Sequence, residues 1–247
     1  MSQSVRQGAV PLRSLLERRF YFFMSLFAAL VVAYGFHFTV DAGLIHPAIR
    51  PPAILWVHAA TNVSWLMLFI AQTGLVTTRN VALHKRVGVA GIALGVMVFV
   101  VGVSTTAAMI RFHAAHPAPP GAGAPPSFAI IPFEDMATFA GLFATAVALR
   151  RRDRESHRRL MLMATCALTG AGWGRFPTYL VPDNWFYVPA DLMVVMGMAR
   201  DYLVMRRVHP AYLYGLPAMI AMQAASMAIM LTAPAWWMNI VRAIASW

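Results

Sequence analysis

The chain has 247 residues, 60% of them apolar and only 12% charged, with a mean hydropathy of +0.62. Soluble domains average about 45–50% apolar and about 25% charged, so the composition excludes an ordinary soluble domain and points to a multi-pass membrane protein. Twenty Lys and Arg against nine Asp and Glu give a formal charge of +11, yet these cations sit in short clusters between apolar runs, where lipid headgroups rather than nucleic acid are the natural partner.

Seven transmembrane helices are predicted, at residues 20–40, 53–76, 87–110, 128–149, 160–180, 188–205 and 212–232. Each is close to the ~20 residues that cross the hydrocarbon core. Helices are expected because an unpaired backbone group in lipid costs several kcal/mol, and the runs lack the alternation of barrel strands. The expected organisation is all-α: a cytoplasmic segment over 1–19, a seven-helix bundle over 20–232, and an external interfacial segment over 233–247. Arg18 and Arg19 precede the first span as in a secretory signal, but the apolar stretch is too long and no small-x-small site follows it, so an uncleaved first span is expected.

Orientation follows from the basic residues. With the N-terminus in the cytoplasm, sixteen cations fall inside, from Arg6, Arg13, Arg18 and Arg19 through Arg79, Lys85, Arg86 and the Arg150–Arg159 cluster to Arg200, Arg206 and Arg207. Arg50, Arg111 and Arg242 fall outside. This positive-inside bias predicts a bacterial inner-membrane protein with an external C-terminus. Trp56, Tyr179, Trp185, Tyr187, Trp236 and Trp237 then fall near the outer interface, where amphipathic rings settle.

Ionisable residues within spans carry the functional reading, since each is costly in lipid. His37 and Asp41 lie at the outer end of span 1, His58 and Asn62 open span 2, Glu134 and Asp135 open span 4, Arg175 closes span 5, and Asp191 opens span 6. Their shared depth predicts one outer polar cluster, with a carboxylate partner for Arg175. In span 2, His58, Asn62, Trp65, Phe69 and Gln72 recur at steps of 4, 3, 4 and 3, which puts all five on one inward face.

At the inner ends, His84-Lys85-Arg86 and His157-Arg158-Arg159 repeat the pattern H-[KR]-R. Topology and lipid phosphates account for it simply. The sharper reading makes His84 and His157 axial ligands of an inner haem b and His37 and His58 those of an outer one, with Arg residues on the propionates. The H-x-x-H pair His113 and His116 lies at the start of a Pro- and Ala-rich loop without further ligands. The lone Cys166 allows no intramolecular disulfide, and the seventeen Met residues read as apolar filling.

The stretches H-A-A-T-N-V-S-W-L-M-L-F-I-A-Q (His58–Gln72), A-L-H-K-R-V-G (Ala82–Gly88), P-F-E-D (Pro132–Asp135) and S-H-R-R-L-M-L-M-A-T (Ser156–Thr165) resemble the motifs of a family of uncharacterised bacterial multi-pass membrane proteins. The likeness spans about residues 53–180 and implies an inner-membrane bundle with no assigned activity. More loosely, the H-[KR]-R pairs are similar to those of haem-associated oxidase-assembly proteins and di-haem cytochrome b carriers. Two functions are therefore open: a haem-b or metal-binding redox or assembly protein, or a non-enzymatic transporter or membrane-complex subunit with an outer site for a small polar or anionic solute. The sequence leaves open whether the protein is an enzyme, and it names no catalytic residue.

Overall fold

A computed structural model describes residues 12–119 and 123–247. Residues 1–11, the side chains of Leu12 and Arg13 and residues 120–122 fall outside the described residues, so Arg6, the Arg13 side chain and part of the Pro- and Ala-rich loop carry no structural account.

The described residues are helical throughout, without strands. In chain order the α-helices are α1 (Leu12–His37), α2 (Ile54–Thr77), α3 (Val81–Ala115), α4 (Ile130–Leu149), α5 (Arg154–Leu168), α6 (Gly170–Trp173), α7 (Tyr187–Met205), α8 (Pro210–Thr232) and α9 (Ala235–Ala245). Short π- and 3-10 turns at Asp41–Ile45 and Pro126–Ala129 precede α2 and α4. Within the described residues, α1, α2, α3, α4 with its 3-10 lead-in, and α8 are long and apolar enough to cross a membrane. The outer surface matches that reading: Leu30, Met67, Val89 and Leu231 stand 64–69% exposed, a density of bare apolar side chains that water would penalise.

The segment expected to be one span over 160–180 is built differently. Helix α5 begins earlier, at Arg154, and ends at Leu168, followed by the single turn α6 and then turns to Phe186. Gly170, Gly172 and Gly174 explain the break, because glycine weakens helix interiors. They also let elements approach: a Cβ on Gly35 of α1 would lie 2.1 Å from the Gly172 carbonyl oxygen of α6.

Asn80 caps α3 by accepting the Leu83 amide at 3.3 Å, and Asp153 caps α5 by accepting the Glu155 and Ser156 amides at 3.0 and 2.9 Å. These caps sit in tight turns, so α2 and α3, and α4 and α5, pack as antiparallel pairs with extensive contact. The turns 78–80, 150–153 and 206–209 gather with the start of α1 at one end, here called the basic end. The core fills the space between α1, α2, α5, α7 and α8 with Met24, Phe69, Leu162, Met163, Met193 and Met219. A second cluster sets Trp65 edge-on to Phe139 and Phe143, whose own rings stack on each other.

At the far end, α9 lies against the extension of α3 and the lead-in to α4. Trp237 Nε1 donates to the Ser127 carbonyl at 3.1 Å, Ser127 Oγ donates to the Met230 carbonyl at 2.8 Å, and Arg111 Nε donates to the Ile244 carbonyl at 3.2 Å.

Candidate functional site

The far half of the bundle holds a cluster of carboxylates. Glu134, one turn into α4, accepts the Thr138 hydroxyl on Oε1 at 2.5 Å and the Tyr187 hydroxyl on Oε2 at 2.6 Å. Its neighbour Asp135 is also buried, and its Oδ1 borders Gly170 beside the Tyr187 ring. Asp191, one turn into α7, accepts Gln223 Nε2 of α8 at 3.1 Å and lies within electrostatic range of Glu134. Among the described residues no Lys, Arg or His stands at ion-pair distance from Glu134, Asp135 or Asp191. Hydroxyls and one amide meet these carboxyls, but no cation among the described residues neutralises them. Each extra negative charge in so apolar a setting costs several kcal/mol unless a proton or a cation accompanies it.

The other far-end residues form a separate group. Asn62 Nδ2 donates to the His58 carbonyl at 2.9 Å, and His58 is within electrostatic range of Arg175. Arg175 Nε donates to Thr39 Oγ1 at 3.2 Å, Nη1 donates to the Ala171 carbonyl, and the guanidinium lies 4.0 Å from the Phe36 ring centroid. The expected carboxylate partner of Arg175 is therefore replaced by a hydroxyl, a carbonyl and an aromatic face. The reason is α6, which separates the two groups: Gly172 packs on α1 near Val31 and Val32, while Gly170 faces Asp135 and Tyr187. His37 is exposed against Phe38, and Asp41 is exposed and bonded to His46 at 2.7 Å. No hydrogen bond among the described residues joins these groups to the acidic cluster, so the single outer cluster read from depth resolves into parts.

At the basic end, His84 and His157 come within electrostatic range of each other. His157 Nδ1 donates to the Ala146 carbonyl at 2.8 Å, which leaves Nε2 with a free lone pair, the arrangement a metal-bound imidazole uses. His84 differs. With the Gln72 amide turned so that both its ends are satisfied, its nitrogen donates to His84 Nδ1 at 2.5 Å while its Oε1 accepts the Gly88 amide at 2.8 Å. With Nδ1 as acceptor, the proton of neutral His84 sits on Nε2. The pair therefore fits bis-histidine ligation of a haem on one side only. Among the described residues no group of three or more His, Cys, Asp or Glu is arranged to hold a metal ion.

One ion-pair network escaped the sequence reading. Arg159 was expected at the lipid interface, yet its side chain has no exposure and grips Asp201 through Nε at 2.6 Å and Nη2 at 2.8 Å. Arg159 Nη1 also meets Glu155 at 2.7 Å. Arg200, equally expected at the interface, donates to Asp201 at 3.0 Å and to the Leu16 and Glu17 carbonyls at 3.3 and 3.2 Å. The network ties α5 and α7 to α1. The available signal was Asp201, an acid within a cation-rich end. Tyr187 and Trp237 were also misread: both are buried and hydrogen-bonded, whereas Trp56, Tyr179, Trp185 and Trp236 are exposed as interfacial rings should be.

No family model, no curated protein and no solved structure matches the chain.

Proposed function

We propose that the protein is a multi-pass protein of a bacterial inner membrane whose far-end carboxylate cluster takes up a proton or a small cationic solute, as a non-enzymatic transporter or transport-complex subunit does. The observation that carries this reading is the trio Glu134, Asp135 and Asp191, met by Thr138, Tyr187 and Gln223 with no cation of the described residues at ion-pair distance. Intramembrane carboxylates in such settings mark proton relays and cation paths. The lack of a paired cation favours a positive or neutral polar occupant over an anionic one, which would meet the carboxylates first.

In this reading the chain crosses seven times, with the basic end in the cytoplasm and the far end outside. Supporting it, the 20 positions from Arg154 to Trp173 give α5 and α6 together a length of about 30 Å. The exposed cations Lys85, Arg86, Arg151, Arg206 and Arg207 meet anionic headgroups of the inner leaflet.

The test is purified protein in liposomes carrying an internal pH dye. Wild-type protein should dissipate an imposed proton gradient, alone or on addition of an organic or alkali cation, and Glu134→Gln with Asp135→Asn should reduce the rate at least tenfold. Equal rates for wild type, variant and empty liposomes across the cation panel would sink the reading. A haem-b function is the second reading, favoured by the free Nε2 of His157. A Soret band in the purified protein that disappears in His157→Ala would establish it, and a colourless, haem-free preparation would remove it.

A further inference from the structure

A cavity lies at the far end, and no residue of the carboxylate cluster lines it. It occupies about 540 Å³ between the π-turn Asp41–Ile45 and the start of α2, and its walls include Leu44, Ile45, His46, Pro47, Arg50 and Trp56. Its size is that of a small-molecule or headgroup site. Pro47 and Pro51 stiffen the connection that forms it, because proline fixes φ.

The chemistry of the lining is unequal. Arg50 is the one permanently charged side chain on these walls, and among the described residues its guanidinium enters no ion pair and no hydrogen bond. His46 is held through Nδ1 by Asp41 at 2.7 Å, which leaves Nε2 as an open polar edge. Opposite these stand Leu44, Ile45, proline rings and the half-exposed indole of Trp56. Arginine suits a phosphate or carboxylate through its forked donors. Apolar walls and an indole would gain nothing from a free hydrated anion, whereas they cover the first methylenes of an acyl or glycerol backbone.

We propose that this cavity binds the anionic head of a membrane amphiphile, a phospholipid phosphate, with Arg50 on the phosphate and Trp56 against the glycerol and upper acyl carbons. Such a ligand would order the 38–53 connection and set the depth of α2, on which His58 and Asn62 stand.

The test is native mass spectrometry of the full chain, delipidated in neutral detergent and titrated with short-chain phosphatidylglycerol, phosphatidylcholine or inorganic phosphate. Because the basic end also attracts anionic lipid, a control variant carries Arg150→Gln, Arg151→Gln and Arg152→Gln. Wild type and this control should retain one tight phosphatidylglycerol. Arg50→Gln should weaken that site about tenfold or more, and Arg50→Lys should restore most of it. Arg50 is exposed, so the variants should melt like wild type. Loss of the tight lipid in the basic-end control, or its full retention in Arg50→Gln, would overturn the proposal. Equal competition by inorganic phosphate would replace the lipid with a free anion and overturn it likewise.

Discussion

Arg159 and Asp201 face each other through two parallel N–H···O bonds of 2.6 and 2.8 Å, and neither side chain has any exposure. Removing either member leaves a buried charge with only part of its network, Arg200 for Asp201 or Glu155 for Arg159, and a buried charge short of partners is costly. Arg159→Met or Asp201→Asn should each lower unfolding stability by about 3–5 kcal/mol, and Arg159→Met with Asp201→Leu should cost clearly less than the two single changes added. Chemical unfolding in detergent micelles measures all three, and strict additivity would show that the pair is not coupled.

The contact between α1 and α6 gives a sharper steric case. A Cβ at Gly35 would meet the Gly172 carbonyl oxygen at 2.1 Å, and backbone cannot swing aside as a flexible side chain can. Gly35→Ala should therefore destabilise by about 1–3 kcal/mol or more and disturb the Arg175 contacts beyond it. Gly43→Ala, where nothing lies within 4 Å, should be neutral within about 0.5 kcal/mol. Thermal melts of the two variants side by side decide this, and equal melts would refute it.

His209 links packing to pH at the basic end. Its Nδ1 accepts the Ala211 amide at 3.2 Å as the cap of α8, and burial followed by the nearby Arg159 cation hold its pKa below the ordinary value of about 6.5. Asp153, Asp201 and Glu155 pull the other way without reversing the direction. The neutral ring is thus the folded form: its stabilisation is present above about pH 6.5 and is lost as pH falls through the lower folded value. Between pH 7 and 5 the wild-type melting temperature should fall more than that of His209→Asn, which keeps a capping acceptor but does not titrate.

Asp153 shows the same sign for a carboxylate. The Ser156 hydroxyl at 2.5 Å and the Ser156 amide hold its pKa below the usual range, with the Glu155 amide adding to them. Its contribution is present above about pH 4 and is lost as pH falls through the depressed value. Asp153→Ala should cost about 1 kcal/mol at neutral pH and progressively less as pH falls below about 4, and unfolding measured across that range checks the difference.

The inward face of α2 was legible because its constraint is periodic: a helix in an apolar bundle must turn polar and aromatic side chains the same way, and Trp65 and Phe69 are buried while His58, Asn62 and Gln72 are half-buried. The carboxylates Glu134, Asp135 and Asp191 were legible by depth, but depth carries no azimuth, so the division imposed by α6 was not. Arg159 and Arg200 were lost for a different reason. Counting cations by loop assigns each to the interface, and only the three-dimensional meeting with Asp201 shows that two of them are interior. The break after Leu168 was written in the glycines at 170, 172 and 174, which the apolar run around them obscured.

The latch formed by Trp237, Ser127 and Met230 bears on how the molecule is made. Helix α9 follows in the chain every element it touches, so this latch can close only when α3, the lead-in to α4 and the end of α8 are already together. Until then the Ser127 carbonyl lacks its indole donor, so closure of α9 is a late step that depends on the prior meeting of the α4 lead-in with the end of α8.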